Sequence, residues 1–157
     1  MSHSTVRRFT YPVRLTPDRR DGGYVVTFPD VPEAITQGDS VEESLANATD
    51  ALEEAVAARI RLREDIPLPS RADPGQRSVG LPIETATKAA LHIAIRESGL
   101  TNTALAARLR CDEKEVRRLL DPYHPSKLPR IERALHALGR QLLVSCVSGS
   151  GLCAQRR

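Results

Sequence analysis

Apolar and polar positions alternate as soon as the chain leaves its first few residues. Phe9, Tyr11, Val13 and Leu15 alternate with Arg8, Thr10, Pro12 and Arg14, the period of two expected of a strand with one buried face. Pro12 has no N–H to donate, which puts this strand at an edge or gives it a bulge there. Turn chemistry follows at Asp21-Gly22-Gly23, and Tyr24, Val26 and Phe28 resume the alternation, so the two segments predict a β-hairpin. Pro29-Asp30-Val31-Pro32 ends the second strand, and residues 34–38 are long enough for a third. At Ser40 the period changes. Ser40 and Glu43 form a capping-box pair, and Val41, Leu45, Ala48, Leu52, Val56 and Ile60 recur every three or four residues, predicting one helix over Val41–Leu62.

Residues 64–76 are rich in proline and polar groups and lack periodicity, which predicts a loop, with residues 77–81 returning as a last edge strand. The remainder is helical in spacing over 86–98, 101–110, 112–120 and 128–138, with Gly99, the Asp121-Pro122 pair with Pro125, and Gly139 as stops. Residues 141–147 suit a short strand that pairs two copies edge to edge, and the Ser/Gly-rich end reads as a disordered tail.

Charge separates the two stretches. Residues 1–75 hold 9 Lys and Arg against 13 Asp and Glu, a net of −4, whereas residues 76–157 hold 14 against 7, a net of +7; together they return the overall +3. A basic half points to a polyanionic partner, nucleic acid above all. With 40% hydrophobic and 27% charged residues, the composition is that of a folded soluble protein. No apolar run approaches the roughly 18 residues of a membrane span and no secretory signal opens the chain, so a cytoplasmic location is expected. Three cysteines without a CxxC or Cys/His spacing are read as reduced thiols, Cys111 and Cys146 in the core and Cys153 exposed in the tail.

Residues 101–120 carry most of the functional information. Small Ala106 suits the crossing of two helices, Leu105 and Leu109 fill the inner face of the first, and Val116 and Leu119 fill that of the second. This is the layout of a helix-turn-helix, whose outer face is left for DNA. Asp112 is placed to cap the second helix, and Glu113, Lys114, Arg117 and Arg118 then point outward, where arginines reach guanine edges or phosphates. One departure stands out: Arg110 occupies the turn position at which glycine is common. Candidate DNA contacts are Thr101, Asn102 and Thr103 at the start of the first helix, Glu113, Lys114, Arg117 and Arg118 on the second, and His124 and Lys127 beyond it; Arg130 and Arg133 add charge on the last helix. His92 and His136 are expected to be structural. The bland alternative is a helical bundle with a basic surface.

The order of these pieces resembles the HicB antitoxin family in its form with an appended helix-turn-helix. The resemblance rests on Tyr11-Pro12-Val13, on Gly23-Tyr24-Val25-Val26-Thr27-Phe28-Pro29-Asp30-Val31-Pro32, on Thr36-Gln37-Gly38-Asp39-Ser40 and on Glu42-Glu43-Ser44-Leu45-Ala46-Asn47-Ala48, followed by Leu81-Pro82 and residues 87–143. It implies an N-terminal domain with a partial RNase H-like fold that binds HicA, a small toxin that cleaves messenger RNA, and a pair that represses its own operon. An acidic first domain suits a basic RNA-cleaving partner. Tyr24, Asp30, Glu33 and the exposed acids of the long helix are candidate toxin contacts under this resemblance.

The expected architecture is therefore α+β. A toxin-binding α/β domain over 6–82 combines an antiparallel sheet with one long helix, an all-α, lambda-repressor-like helix-turn-helix domain covers 84–147, and a flexible tail covers 148–157. Paired recognition helices about one turn of DNA apart require a homodimer, a tetramer or another even assembly. An RNase H-like outline raises a metal-dependent nuclease as a rival, but the first strand carries no carboxylate, and Asp18, Asp21, Asp30 and Asp39 fall in predicted turns, where aspartate is favoured for local hydrogen bonds. No nucleophile motif and no phosphate-binding glycine loop occurs, so catalytic residues, metal and cofactor are all expected to be absent. A stand-alone regulator without a toxin is the other alternative.

Overall fold

The computed structural model describes residues 6–146. Along the chain run β1 (Thr10–Pro12), β2 (Arg14–Pro17), β3 (Tyr24–Thr27), β4 (Ile35–Gly38), α1 (Val41–Leu62), β5 (Ser78–Gly80), α2 (Ile83–Ser98), α3 (Asn102–Leu109), α4 (Glu113–Leu120) and α5 (Leu128–Ala137). They make an α+β fold with two small antiparallel sheets. The described residues divide into two compact units, 6–55 with 67–81, and 56–66 with 82–146.

In the first unit the alternating segment at residues 8–15 is not one strand. It breaks at Val13, with β1 pairing β5 (Tyr11 opposite Val79) and β2 pairing β3 (Leu15 opposite Val26), while β3 also pairs β4. Pro12 ends β1, so the residue that cannot extend a ladder stands where the chain passes from one sheet to the other. The hairpin loop is held by the Asp18 carboxylate, which accepts from the backbone N–H groups of Arg20 (2.8 Å) and Asp21 (3.3 Å). Tyr11, Val13, Val26, Phe28, Val31, Ala34, Leu45, Ala48 and Leu52 are buried, and the Tyr11 hydroxyl donates to Pro67 O at 2.9 Å.

The start of α1 depends on two unusual close approaches. Ser40 Oγ accepts from Glu43 N (3.1 Å), and the Glu43 carboxylate reaches back to Asp39 N (2.9 Å), one residue earlier than in the usual capping box. Gly38 lies against the first turn: a Cβ there would sit 2.6 Å from Ser44 N and 2.8 Å from Ser44 Oγ. The wholly buried Ser44 hydroxyl donates to Ser40 O at 2.6 Å. Gly38 is required because helix and strand backbones meet there without room for a side chain.

The second unit is helical apart from its loops. One buried cluster joins Leu91, Ala94, Leu119, Ile131, Ala134 and Leu135; another joins Leu105, Ala106 and Val116. Helix α2 begins at Ile83, three residues before the periodicity predicts, directly after Pro82. It ends on Gly99 in the left-handed conformation (φ 65°). Two sequence expectations need correction. Residues 141–146 are irregular and form no strand within the single chain. Cys146 is exposed and no core thiol, whereas Cys111 is half-buried beside Leu105, Ala106 and Val116. Val147, Cys153 and the expected tail lie outside the described residues.

Candidate functional site

Two short helices joined by a three-residue turn form the centre of the candidate site. Thr101 caps α3 through Oγ1, which accepts from Ala104 N at 3.1 Å, and Asn102 opens the helix. Helix α3 ends on Arg110, whose φ of 54° and ψ of 46° are left-handed. The turn at the position where glycine is common is therefore made in full by an arginine, with Cys111 N returning to Ala106 O at 3.1 Å. Asp112 then caps α4, its carboxylate accepting from Glu115 N at 2.6 Å, as its sequence position predicts. Burial first, and then the carboxylates of Glu115 and Asp112, push the Cys111 thiol above its ordinary value.

With Val116 and Leu119 turned inward, the outward face of α4 carries charge. Lys114, Arg117 and Arg118 are exposed and Glu113 half-buried. Glu113 organises this face: Oε1 holds Arg117 Nη2 at 2.7 Å, and Oε2 accepts from Thr103 Oγ1 at 3.3 Å. The Arg117 side chain nevertheless remains 68% exposed. Arg118 makes no ion pair among the described residues. On α5, Arg130 is held by Glu115 at 2.6 Å. Thr103, Glu113 and Arg117 are thus brought into one cluster, while Arg118, His124 and Lys127 border a separate hollow at the far end of α4.

Sequence reasoning missed Lys88. Its Nζ donates to Leu119 O (2.7 Å), to Arg118 O (3.2 Å) and to Ser126 Oγ (2.8 Å), so all three protons are used and two carbonyls of the last turn of α4 are satisfied. Only 4% of Lys88 is exposed. Burial lowers its pKa to about 8, against the opposing pull of Asp121 and Glu84. The available signal was its place on the face of α2 that also carries Thr85, Leu91 and His92, all of which are buried. His92 is structural, as expected, with Nε2 2.7 Å from Glu64 O.

The candidate positions in the first unit flank the two ends of β3. Tyr24 opens β3, and Asp30 and Glu33 lie beyond the other end of that strand, about 10 Å of extended chain away. The Asp30 carboxylate has an internal task, accepting from Ser70 N (2.9 Å) and Ser70 Oγ (3.0 Å). Glu33 is exposed, as are Glu42, Asp50 and Glu54 on α1. Among the described residues no group of three or more His, Cys, Asp or Glu could hold a metal ion, and no helix is long and apolar enough to cross a membrane.

Comparison with known proteins bears on both units. Residues 10–90 match the family described as HicB_like antitoxin of bacterial toxin-antitoxin system. The chain is similar to Antitoxin HicB 1 of Photorhabdus laumondii, at 40% identity over 140 residues covering 89% of this chain and 88% of that protein. It is also similar to Antitoxin HicB of Escherichia coli K12, at 39% identity over 132 residues covering 84% and 95%. Antitoxin HicB of Pseudomonas fluorescens is 38% identical over 117 residues, covering 74% and 80%.

Proposed function

The chain belongs to the HicB-like antitoxin family, and from that premise we propose that it neutralises a small HicA-like, mRNA-cleaving toxin by direct binding and represses its own operon by binding operator DNA. The toxin-binding part is the domain over 6–82, built on a partial RNase H-like plan, with Tyr24, Asp30, Glu33 and the acids of α1 as contacts. Its net negative charge suits a partner that must itself approach RNA. The DNA-binding part is the domain over 84–147, with α3 and α4 as a lambda-repressor-like helix-turn-helix and α4 as the recognition helix. The chain acts as a dimer or tetramer, by occupancy and without catalysis.

The observation that carries the repressor half is the outward face of α4. Three exposed cations, Lys114, Arg117 and Arg118, stand on a helix whose other side is buried, and a surface of that kind fits a major groove. The Glu113 tether does not remove this charge, since Arg117 stays mostly in water. Thr101, Asn102 and Thr103 at the start of α3 are placed for phosphates, with His124 and Lys127 beyond α4.

A gel-shift assay with the DNA upstream of the gene, combined with co-expression of the neighbouring toxin, tests both halves. Arg117→Ala with Arg118→Ala should abolish DNA retention, and at residual binding should reduce the salt slope by about 2, because each lost phosphate contact removes roughly 0.9. Relief of growth arrest should survive the double change. Retention of DNA by the variant would refute α4 as the reader, and loss of both functions would refute two separable modules.

A further inference from the structure

A cavity of about 300 Å³ opens at the end of α4, beside the 121–127 turn and the start of α5. Arg118, His124, Lys127 and Arg130 border it, and Glu115 is its one carboxylate. That carboxylate is committed to Arg130 at 2.6 Å, whereas Arg118 and Lys127 make no ion pair among the described residues. Among the Lys, Arg, Asp and Glu side chains of the wall, three cations stand against one anion, a formal sum of +2. Like charges gathered around a hollow repel one another, and an anion between them relieves that repulsion.

The wall is built in advance. Lys88 Nζ, behind the lining, holds Ser126 Oγ at 2.8 Å and the last carbonyls of α4, at Arg118 (3.2 Å) and Leu119 (2.7 Å). One buried ammonium therefore fixes the helix end and the turn relative to each other and adds positive charge beneath the floor. No Phe, Tyr or Trp lines the cavity, and only Leu119 and Pro125 are apolar, so the lining is predominantly polar and cationic. A small, strongly hydrated oxyanion fits this chemistry, since a guanidinium fork and an ammonium both suit phosphate oxygens.

We propose that this cavity is a phosphate seat in which Arg118 and Lys127 grip the anion and Arg130, held by Glu115, completes the charge. The phosphate comes either from a DNA strand, which deepens the repressor reading and rests on it, or from a small phosphate-bearing molecule, which does not. The test uses full-length ¹⁵N-labelled protein titrated with pyrophosphate against chloride at matched ionic strength. A saturable change confined to the amides of residues 118–130, absent with chloride, is expected. Arg118→Gln or Lys127→Gln should weaken it by about tenfold, the loss of one charge-assisted hydrogen bond. Lys127→Gln alters an exposed residue outside the helix interiors, so its fold should be intact, and unchanged amides in α2 would verify this. No saturable change, or one indifferent to both substitutions, overturns the seat.

A parallel gel shift on the upstream DNA separates the sources. Pyrophosphate that displaces DNA beyond its ionic strength identifies a strand phosphate as the occupant. DNA retained undisturbed while the amide change persists identifies a separate small ligand. An amide change in a protein that retains no DNA at all would refute the repressor reading and leave the seat standing.

Discussion

Replacing Lys88 by methionine removes a buried ammonium while keeping a long, flexible side chain, and its effect should be read in how stability depends on pH. The folded chain holds the Lys88 proton with a pKa of about 8, below the 10.5 of an unburied lysine, because burial disfavours the charge. Between those values the unfolded chain binds more protons than the folded one, so stability rises as pH rises. Below about 8 both states carry the proton and the cost of burying it is constant; above 10.5 neither carries it. The gain across the window is about 3 kcal/mol. Urea unfolding at a series of pH values from 7 to 11, followed through the methyl resonances of Leu91 and Leu119, isolates the second unit. The difference between wild type and Lys88→Met cancels the tyrosines and other lysines that titrate in the same range, and it should grow by about 3 kcal/mol in favour of wild type. Curves that stay parallel within about 0.5 kcal/mol would mean that water reaches the ammonium and that the three hydrogen bonds do not bury it.

Three further outcomes are expected. Gly38→Ala drives a Cβ into the first turn of α1 and should destabilise the first unit by about 1–3 kcal/mol, measured by urea unfolding, with the second unit unaffected. Arg110→Gly relieves a left-handed arginine and should stabilise the second unit by about 1 kcal/mol, seen as a higher Tm. His92 has its pKa lowered, chiefly by burial, so stability present above its ordinary value of 6.5 is lost as pH falls toward the folded value. His92→Gln should flatten that acid limb in the same unfolding experiment.

Where a residue's role is local, the one-dimensional pattern discloses it. Ser40 with Glu43, and Asp112 before Glu115, are caps whose partners lie three residues away, and both form. The period of α1 is similarly visible because every buried position repeats within one element. The failures involve distant partners. The first strand divides at Val13 because its two parts pair with different strands, the first with β5 far along the chain and the second with β3. Lys88 is captured by carbonyls some thirty residues on, which no spacing rule exposes. Residues 141–146 have strand-like composition yet are irregular within the single chain, since composition alone supplies no pairing partner. On the candidate DNA face, the exposed cations of α4 were legible from helical spacing, whereas the tether from Glu113 to Thr103 depends on how two helices meet.

That tether makes three positions answer as one. With a single carboxylate restraining both a threonine on α3 and an arginine on α4, substitutions at 103, 113 and 117 will be non-additive. A residue-by-residue scan would misattribute their individual contributions, and any effort to redesign this surface has to vary the trio jointly.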